Sequence, residues 1–215
     1  MLPDSSRPVS TRLNRRERVR RGPVASEHLL QLFDTEESLA TSVAAFLAEG
    51  WQQGERLLVV ATARHWNAIR EAMRGNGVDP DAMGARLTVL DALEVLSRFI
   101  RRGEPNRALF RQTVGALVAE SAGPPGLRIY GEMVEVLARE GNYRGAAQLE
   151  ELWNQLSTEH SFTLLCGYSA AHFAAPDAGA SLAIICCQHS RSISERHDTL
   201  ASFLLSRQRG AAAAQ

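Results

Sequence analysis

The chain has 215 residues, 45% of them hydrophobic and 22% charged, the proportions of a globular protein with one substantial core. Its formal charge is zero, and all 24 basic residues are arginines, because the chain contains no lysine. That absence excludes a P-loop phosphate lysine, a Schiff-base lysine for a pyridoxal cofactor and any lysine general base; arginine does not deprotonate in proteins and cannot take over as a base.

The neutrality is a cancellation. Residues 1–24 carry seven arginines against Asp4 and Glu17, a net of +5, so residues 25–215 carry −5. An acidic body is a poor binder of phosphate backbones, and nucleic acid is expected to be met only through the basic arm. Three cysteines, Cys166, Cys186 and Cys187, are an odd number without framework spacing, and the adjacent pair does not bridge easily, which fits a reducing compartment. No apolar stretch has the length of a membrane span and the N-terminus lacks a signal-peptide core, so the expected location is the cytoplasm.

Residues 1–25, with Pro3, Pro8, Gly22, Pro23 and the cluster Arg15, Arg16, Arg18, Arg20 and Arg21, read as a flexible arm. From His28 short apolar runs alternate with helical-period segments. His28–Phe33 is the first expected strand, and Asp34-Thr-Glu-Glu-Ser-Leu supplies an N-cap and two acidic first-turn residues for a helix running to Glu49. Arg56–Thr62 is a continuous β-branched run of the kind buried on both faces of a parallel sheet, followed by a helix over His65–Gly75. Arg86–Asp91 is the third strand and Ala92–Arg102 a helix. A further helix covers residues 107–121 and stops at Gly123-Pro-Pro-Gly126. Leu127–Gly131 is the fourth strand, with helices over Met133–Glu140 and Tyr143–Glu159. Phe162–Tyr168 is the fifth strand, and Ser181–His189 and Ser194–Ser206 read as terminal helices. Residues 26–209 therefore form one α/β domain around a mostly parallel sheet of five or slightly more strands, helices on both faces, with 210–215 as a tail.

In such a sheet ligands bind beyond the carboxyl ends of the strands. Those positions are Asp34, Thr35 and Glu36; Thr62 and Arg64; Asp91; Glu132; and Tyr168 with Ser169. The first loop has no glycine and three carboxylates, the opposite of a phosphate cradle. Leu87-Thr-Val-Leu-Asp91 has a Walker B look, but any strand ending in a helix cap gives that pattern, and capping is the expected role of Asp91. Gly75-Asn-Gly77 follows a helix and reads as a turn. Glu132 serves equally well as first-turn partner of a helix or as ligand contact. Cys166 lies inside an apolar strand as a small buried hydrophobe. His28, Cys166 and His189 could be drawn as a metal set, but no pair has recognised ligand spacing, so no metal or cofactor is expected. No Gly-x-Ser-x-Gly elbow or diagnostic Cys/His interval points to nucleophilic catalysis.

Six ordered segments carry a resemblance: His28-Leu-Leu-Gln-Leu-Phe-Asp-Thr-Glu-Glu, Glu-Gly-Trp-Gln-Gln-Gly-Glu-Arg-Leu-Leu-Val-Val-Ala, Arg-Leu-Thr-Val-Leu-Asp-Ala, Leu-Arg-Ile-Tyr-Gly-Glu-Met, Leu-Glu-Glu-Leu-Trp-Asn and Thr-Leu-Leu-Cys-Gly-Tyr. Together, over roughly residues 26–190, they resemble the MEDS (methanogen/methylotroph, DcmR sensory) domain. The resemblance implies a RecA/KaiC-like core without its P-loop, associated with histidine kinases, anti-sigma-type proteins and transcription regulators of bacteria. It implies small-molecule sensing, without catalysis, and carries over His28, Asp34, Glu132, Cys166 and Tyr168 as the sensory site. Residues 1–25 are too short for the helix-turn-helix that a DcmR-like regulator adds, so the chain is expected to act as a stand-alone sensor. Its expected partners are a small molecule and a signalling protein of kinase, anti-sigma or regulator type, with homodimerisation left open. The alternative is a degenerate ATPase using Asp91 and Glu132 on Mg²⁺ and water.

Overall fold

Alternate residues of the apolar runs face opposite ways, and this period of two sorts the core into two layers. The computed structural model describes residues 26–173 and 179–194. The arm of residues 1–25, the tail, and all of the last expected helix except Ser194 lie outside the described residues.

Strand β1 (Glu27–Phe33) leads into α1 (Glu36–Gln52). The N-cap is Thr35, whose side chain accepts from Ser38 N, with Glu36 and Glu37 in the first turn where the helix dipole favours them. Strand β2 (Arg56–Ala61) is followed by α2 (Ala63–Gly75), capped by Thr62, and a 3-10 segment over Pro80–Arg86. Strand β3 (Leu87–Asp91) ends on Asp91, which accepts from Glu94 N at 2.9 Å and so caps α3 (Ala92–Phe99). Asp91→Ala should lower the unfolding free energy by about 1 kcal/mol in urea titration, the usual loss for an N-cap.

The helix expected to reach Arg102 ends at Phe99, because Arg102 and Gly103 take positive φ (54° and 81°) and turn the chain into a small antiparallel hairpin, β4 (Ile100–Arg101) and β5 (Glu104–Pro105). The next helix is α4 (Arg107–Phe110) and α5 (Ala116–Ser121) joined through a π turn over Arg111–Gly115. Strand β6 (Leu127–Gly131), α6 (Met133–Arg139), α7 (Tyr143–Ser157) and β7 (Thr163–Ser169) follow. After the 3-10 turn Ala170–Phe173 come α8 (Gly179–Cys187) and β8 (Arg191–Ser194), a strand the sequence pattern does not announce.

Among the described residues the sheet is six-stranded, parallel in every pair, in the order β3-β2-β6-β7-β1-β8. Leu29, Phe33, Leu57, Val59, Tyr130 and Leu165 pack with α1 and α2 on one face. Leu30, Leu32, Leu58, Val60, Ile129 and Leu164 pack with the remaining helices on the other. There Trp153 of α7 meets Phe110 and Phe162 edge-on, at centroid distances of 5.4 and 6.1 Å.

A charged side chain reaches into the face that packs on α1. Arg128 of β6 is buried, its Nε donating to Glu55 Oε2 at 2.7 Å and its Nη1 to Phe46 O and Glu49 Oε2 at 2.9 and 3.0 Å, with the guanidinium over the Phe46 ring. Room for Glu55 depends on Gly126, where φ is +149° and an added Cβ would meet the Glu55 carboxylate at 3.0 Å.

Candidate functional site

The connections after β1 and β2 place their helices on one face, and those after β3, β6 and β7 use the other. β2 and β6 are neighbours, so the chain leaves their carboxyl ends in opposite directions, the topological switch point at which α/β sheets commonly form a ligand crevice. Glu132 sits at this switch point, immediately after β6, with its side chain 1% exposed. It accepts from Thr62 N at 3.2 Å and from the Thr62 hydroxyl at 2.9 Å, and it lies 2.9 Å from His65 Nδ1. From there a chain of charges runs outward: His65 Nε2 is 3.7 Å from Glu36, and Glu36 is 2.8 Å from Arg64, which stands in solvent.

A second carboxylate, Glu135, lies one helical turn further on. It accepts from Ser169 N at 3.0 Å, beyond β7, and pairs with His172 Nε2 at 2.7 Å. Burial pushes the Glu135 carboxyl up, against the pull of the Ser169 amide and His172. The hydrogen bond to Glu132 raises the His65 imidazole; desolvation opposes this, and the charges of Glu132, Glu36 and Glu135 reinforce it. A raised histidine contributes stability that is complete below its ordinary value of 6.5 and is lost as pH rises through the folded value. The stability advantage of the wild-type chain over His65→Gln should therefore be greater at about pH 5.5 than at about pH 8.5, measured by urea unfolding.

A separate buried cluster lies under α7, on the sheet face that carries the even-numbered residues of β1 and β7. Asn142 caps α7 by accepting from Gly145 N, and this sets the phase that turns Glu150 inward beside Leu149 and Trp153. Glu150 is fully buried. Its Oε1 accepts from Tyr168 OH at 2.7 Å and lies 3.3 Å from His189 Nε2. Its Oε2 lies 3.1 Å from His28 Nε2 and accepts from Cys166 Sγ at 3.4 Å. Cys166 Sγ is also 3.4 Å from His28 Nε2, and the two imidazoles stand 4.1 Å apart between centroids. Burial favours a protonated Glu150, but His189 and His28 outweigh it and hold the carboxyl well below the usual range. Burial, helped by the Glu150 charge, pushes the Cys166 thiol and the Tyr168 phenol well up.

The five residues expected to form one site are thus divided. His28, Cys166 and Tyr168 converge on Glu150, whereas Glu132 anchors the β2–β6 crevice. Asp34 is exposed at the end of β1. His28, Cys166 and His189, dismissed as a set because of their spacing in sequence, do meet in space. Sequence reasoning missed Glu150, Glu135 and His65. Two of them left a trace: Glu150 interrupts the apolar stripe of α7 between Leu149 and Trp153, and Glu135 stands alone in the apolar run Met133–Ala138. Asp91 and Glu132, paired in the ATPase alternative, are respectively a helix cap and a partner of Thr62 and His65. A cavity of about 620 Å³ lies at the opposite end of the sheet, lined by Glu55, Ala122, Pro125, Leu127, Phe162 and Thr163.

The described residues thus form a parallel α/β domain with carboxylate–histidine pairs beyond its strands and without a glycine-rich phosphate loop. The family model of the MEDS domain, the MEthanogen/methylotroph, DcmR Sensory domain, matches residues 27–205, and the chain belongs to that family. No curated protein matches it. Membership of a sensory-domain family assigns the chain a sensory or regulatory role. Among the described residues no helix is long and apolar enough to cross a membrane.

Proposed function

We propose that this chain is a non-enzymatic sensory module that takes a small polar ligand at the β2–β6 crevice and transmits its binding to a signalling protein. The observation that carries the proposal is Glu132: a buried carboxylate at the topological switch point, joined through His65 and Glu36 to the surface. Glu36, Glu132 and Glu135 line the same end of the sheet, and the loop after β1 has no glycine. This combination repels phosphate and favours a neutral or cationic ligand with a hydrogen-bond donor. Its three free cysteines suit a reducing compartment, and we place it in the cytoplasm. Signalling requires the ligand to bind two conformations with different affinity, and Thr62 and His65 at the start of α2 supply contacts that a ligand at Glu132 would alter.

Calorimetric titration with short-chain alcohols, methylamines and carboxylates, and with Mg·ATP, tests this reading. The expected result is binding of at least one neutral or cationic compound, weakened about tenfold or more by Glu132→Gln, a loss of one charge-assisted hydrogen bond. Binding of Mg·ATP alone, no binding across the panel, or binding indifferent to Glu132→Gln would overturn it.

A further inference from the structure

We infer that the cluster under α7 is a metal site, with His28 Nε2, His189 Nε2, Cys166 Sγ and a Glu150 carboxylate oxygen binding a zinc-class divalent cation. These four ligand atoms lie within 4.8 Å of one another. Tetrahedral coordination at zinc-like bond lengths of about 2.0–2.3 Å puts neighbouring ligands about 3.3–3.8 Å apart. The separations here are 3.1 Å (His28 to Glu150 Oε2), 3.3 Å (His189 to Glu150 Oε1), and 3.4 Å for both Cys166 to Glu150 Oε2 and Cys166 to His28, with the remaining pairs within 4.8 Å, so binding would draw the ligands slightly together. Two imidazoles, one thiolate and one carboxylate also balance a dication's charge and match the ligand preferences of zinc.

The second observation is the direction in which the imidazole protons point. Asn154 Nδ2 donates to Gln188 O and Oε1, both at 2.9 Å, so its Oδ1 is the atom facing His28 Nδ1 at 2.8 Å and must accept from it. His189 Nδ1 likewise donates to Ile185 O at 2.7 Å. In the neutral form each ring then presents a lone pair at Nε2, and each lone pair faces the Glu150 carboxylate, itself an acceptor. Acceptor against acceptor at such distances in a buried site calls for positive charge between them, supplied by protons on the rings when no metal is bound and by the cation when one is. His189 Nε2, whose side chain is 1% exposed, makes no aligned hydrogen bond at all. Fixing Nδ1–H with an amide or carbonyl acceptor is the arrangement that orients metal-bound histidines. Tyr168 does the same for the carboxylate, donating to Glu150 Oε1.

An entry path exists. A surface depression of about 340 Å³, lined by Ser26, His28, Asn154, Gln188, His189 and Ser190, opens onto the two imidazoles. On binding, the cation forms bonds to both Nε2 atoms, Sγ and a Glu150 oxygen, and the Cys166 proton leaves to solvent. This site is separate from the β2–β6 crevice, so it stands or falls independently of the sensory ligand proposed there.

The test is Co²⁺ titration of the untagged full chain after dialysis against a chelator. The expected result is one cobalt per chain, with tetrahedral d–d absorption in the visible and a thiolate-to-cobalt charge-transfer band in the near ultraviolet, both displaced by Zn²⁺. Cys166→Ser should abolish the charge-transfer band, while Cys186→Ser, Cys187→Ser and Glu132→Gln retain it. Asn154→Ala, which keeps all four ligands, should weaken the affinity about 10–100-fold and so provides a test even where Cys166→Ser does not fold. Absence of the thiolate band at saturating cobalt, or a band that survives Cys166→Ser and disappears with Cys186→Ser or Cys187→Ser, would overturn the assignment.

Discussion

Glu150→Leu lowers the melting temperature of the chelator-treated protein by about 6–20 °C, the equivalent of about 3–5 kcal/mol for one broken buried ion pair in a chain of this size. Four neighbours lose the same carboxylate at once: the Tyr168 hydroxyl, the Cys166 thiol and the imidazoles of His28 and His189. The thiol and the phenol cannot turn to water, because Cys166 and Tyr168 are fully buried. Glu150→Gln should cost far less. A glutamine carbonyl still accepts from Tyr168, and its NH₂ donates to the lone pair at His28 Nε2. The contrast between the two variants, read by thermal unfolding, separates loss of a polar partner from loss of a charge. Equal melting temperatures for wild type and Glu150→Leu would refute the cluster as a determinant of stability.

Glu55→Ala should destabilise by a similar amount, about 3–5 kcal/mol, for a different reason. It leaves the Arg128 guanidinium in the core with only the Phe46 carbonyl and the exposed carboxylate of Glu49. An arginine cannot escape by losing its proton, so the uncompensated charge stays. Pairing Glu55→Leu with Arg128→Met removes both charges and should recover most of the loss, since buried ion pairs often do no better than apolar replacements of similar volume. The coupling energy from this double-mutant cycle is the measurement; additive effects would show that the two side chains act separately.

The framework was legible because local and global signals agree. Strands such as Leu127–Gly131 are bounded by glycine and proline, and the acidic first turn after Thr35 marks a helix start. The hairpin after Phe99 was not legible, because Ile100–Arg101 continues the helical pattern and only the positive φ at Arg102 and Gly103 breaks it. Strand β8 was missed because Arg191-Ser-Ile-Ser194 is too short and polar to stand out from the helix expected after it.

For the candidate site, the polar residue types stood out in the sequence and their grouping did not. His28, Cys166 and His189 are separated by 138 and 23 positions in the chain, and metal or ion clusters of that kind are assembled by strand order alone. β1 and β7 become neighbours only because the chain returns to the middle of the sheet, which sets His28 beside Leu164 and Leu30 beside Cys166 in register. Glu150 was hidden for another reason. Beside Glu151 it reads as half of a solvated acidic pair, and only the helical phase shows that one of the two faces the core.

Strand β8 carries a consequence for solubility. It covers Leu29–Leu32 of β1, whose backbone would otherwise face outward with an apolar sequence on either side. A long apolar strand in that position is a template for strand addition by another chain, whereas a four-residue cover built from arginine, serine, isoleucine and serine is a poor one. The last described strand thus shields part of β1, and cleavage just before Arg191 should expose Leu29–Leu32 to strand addition by another copy.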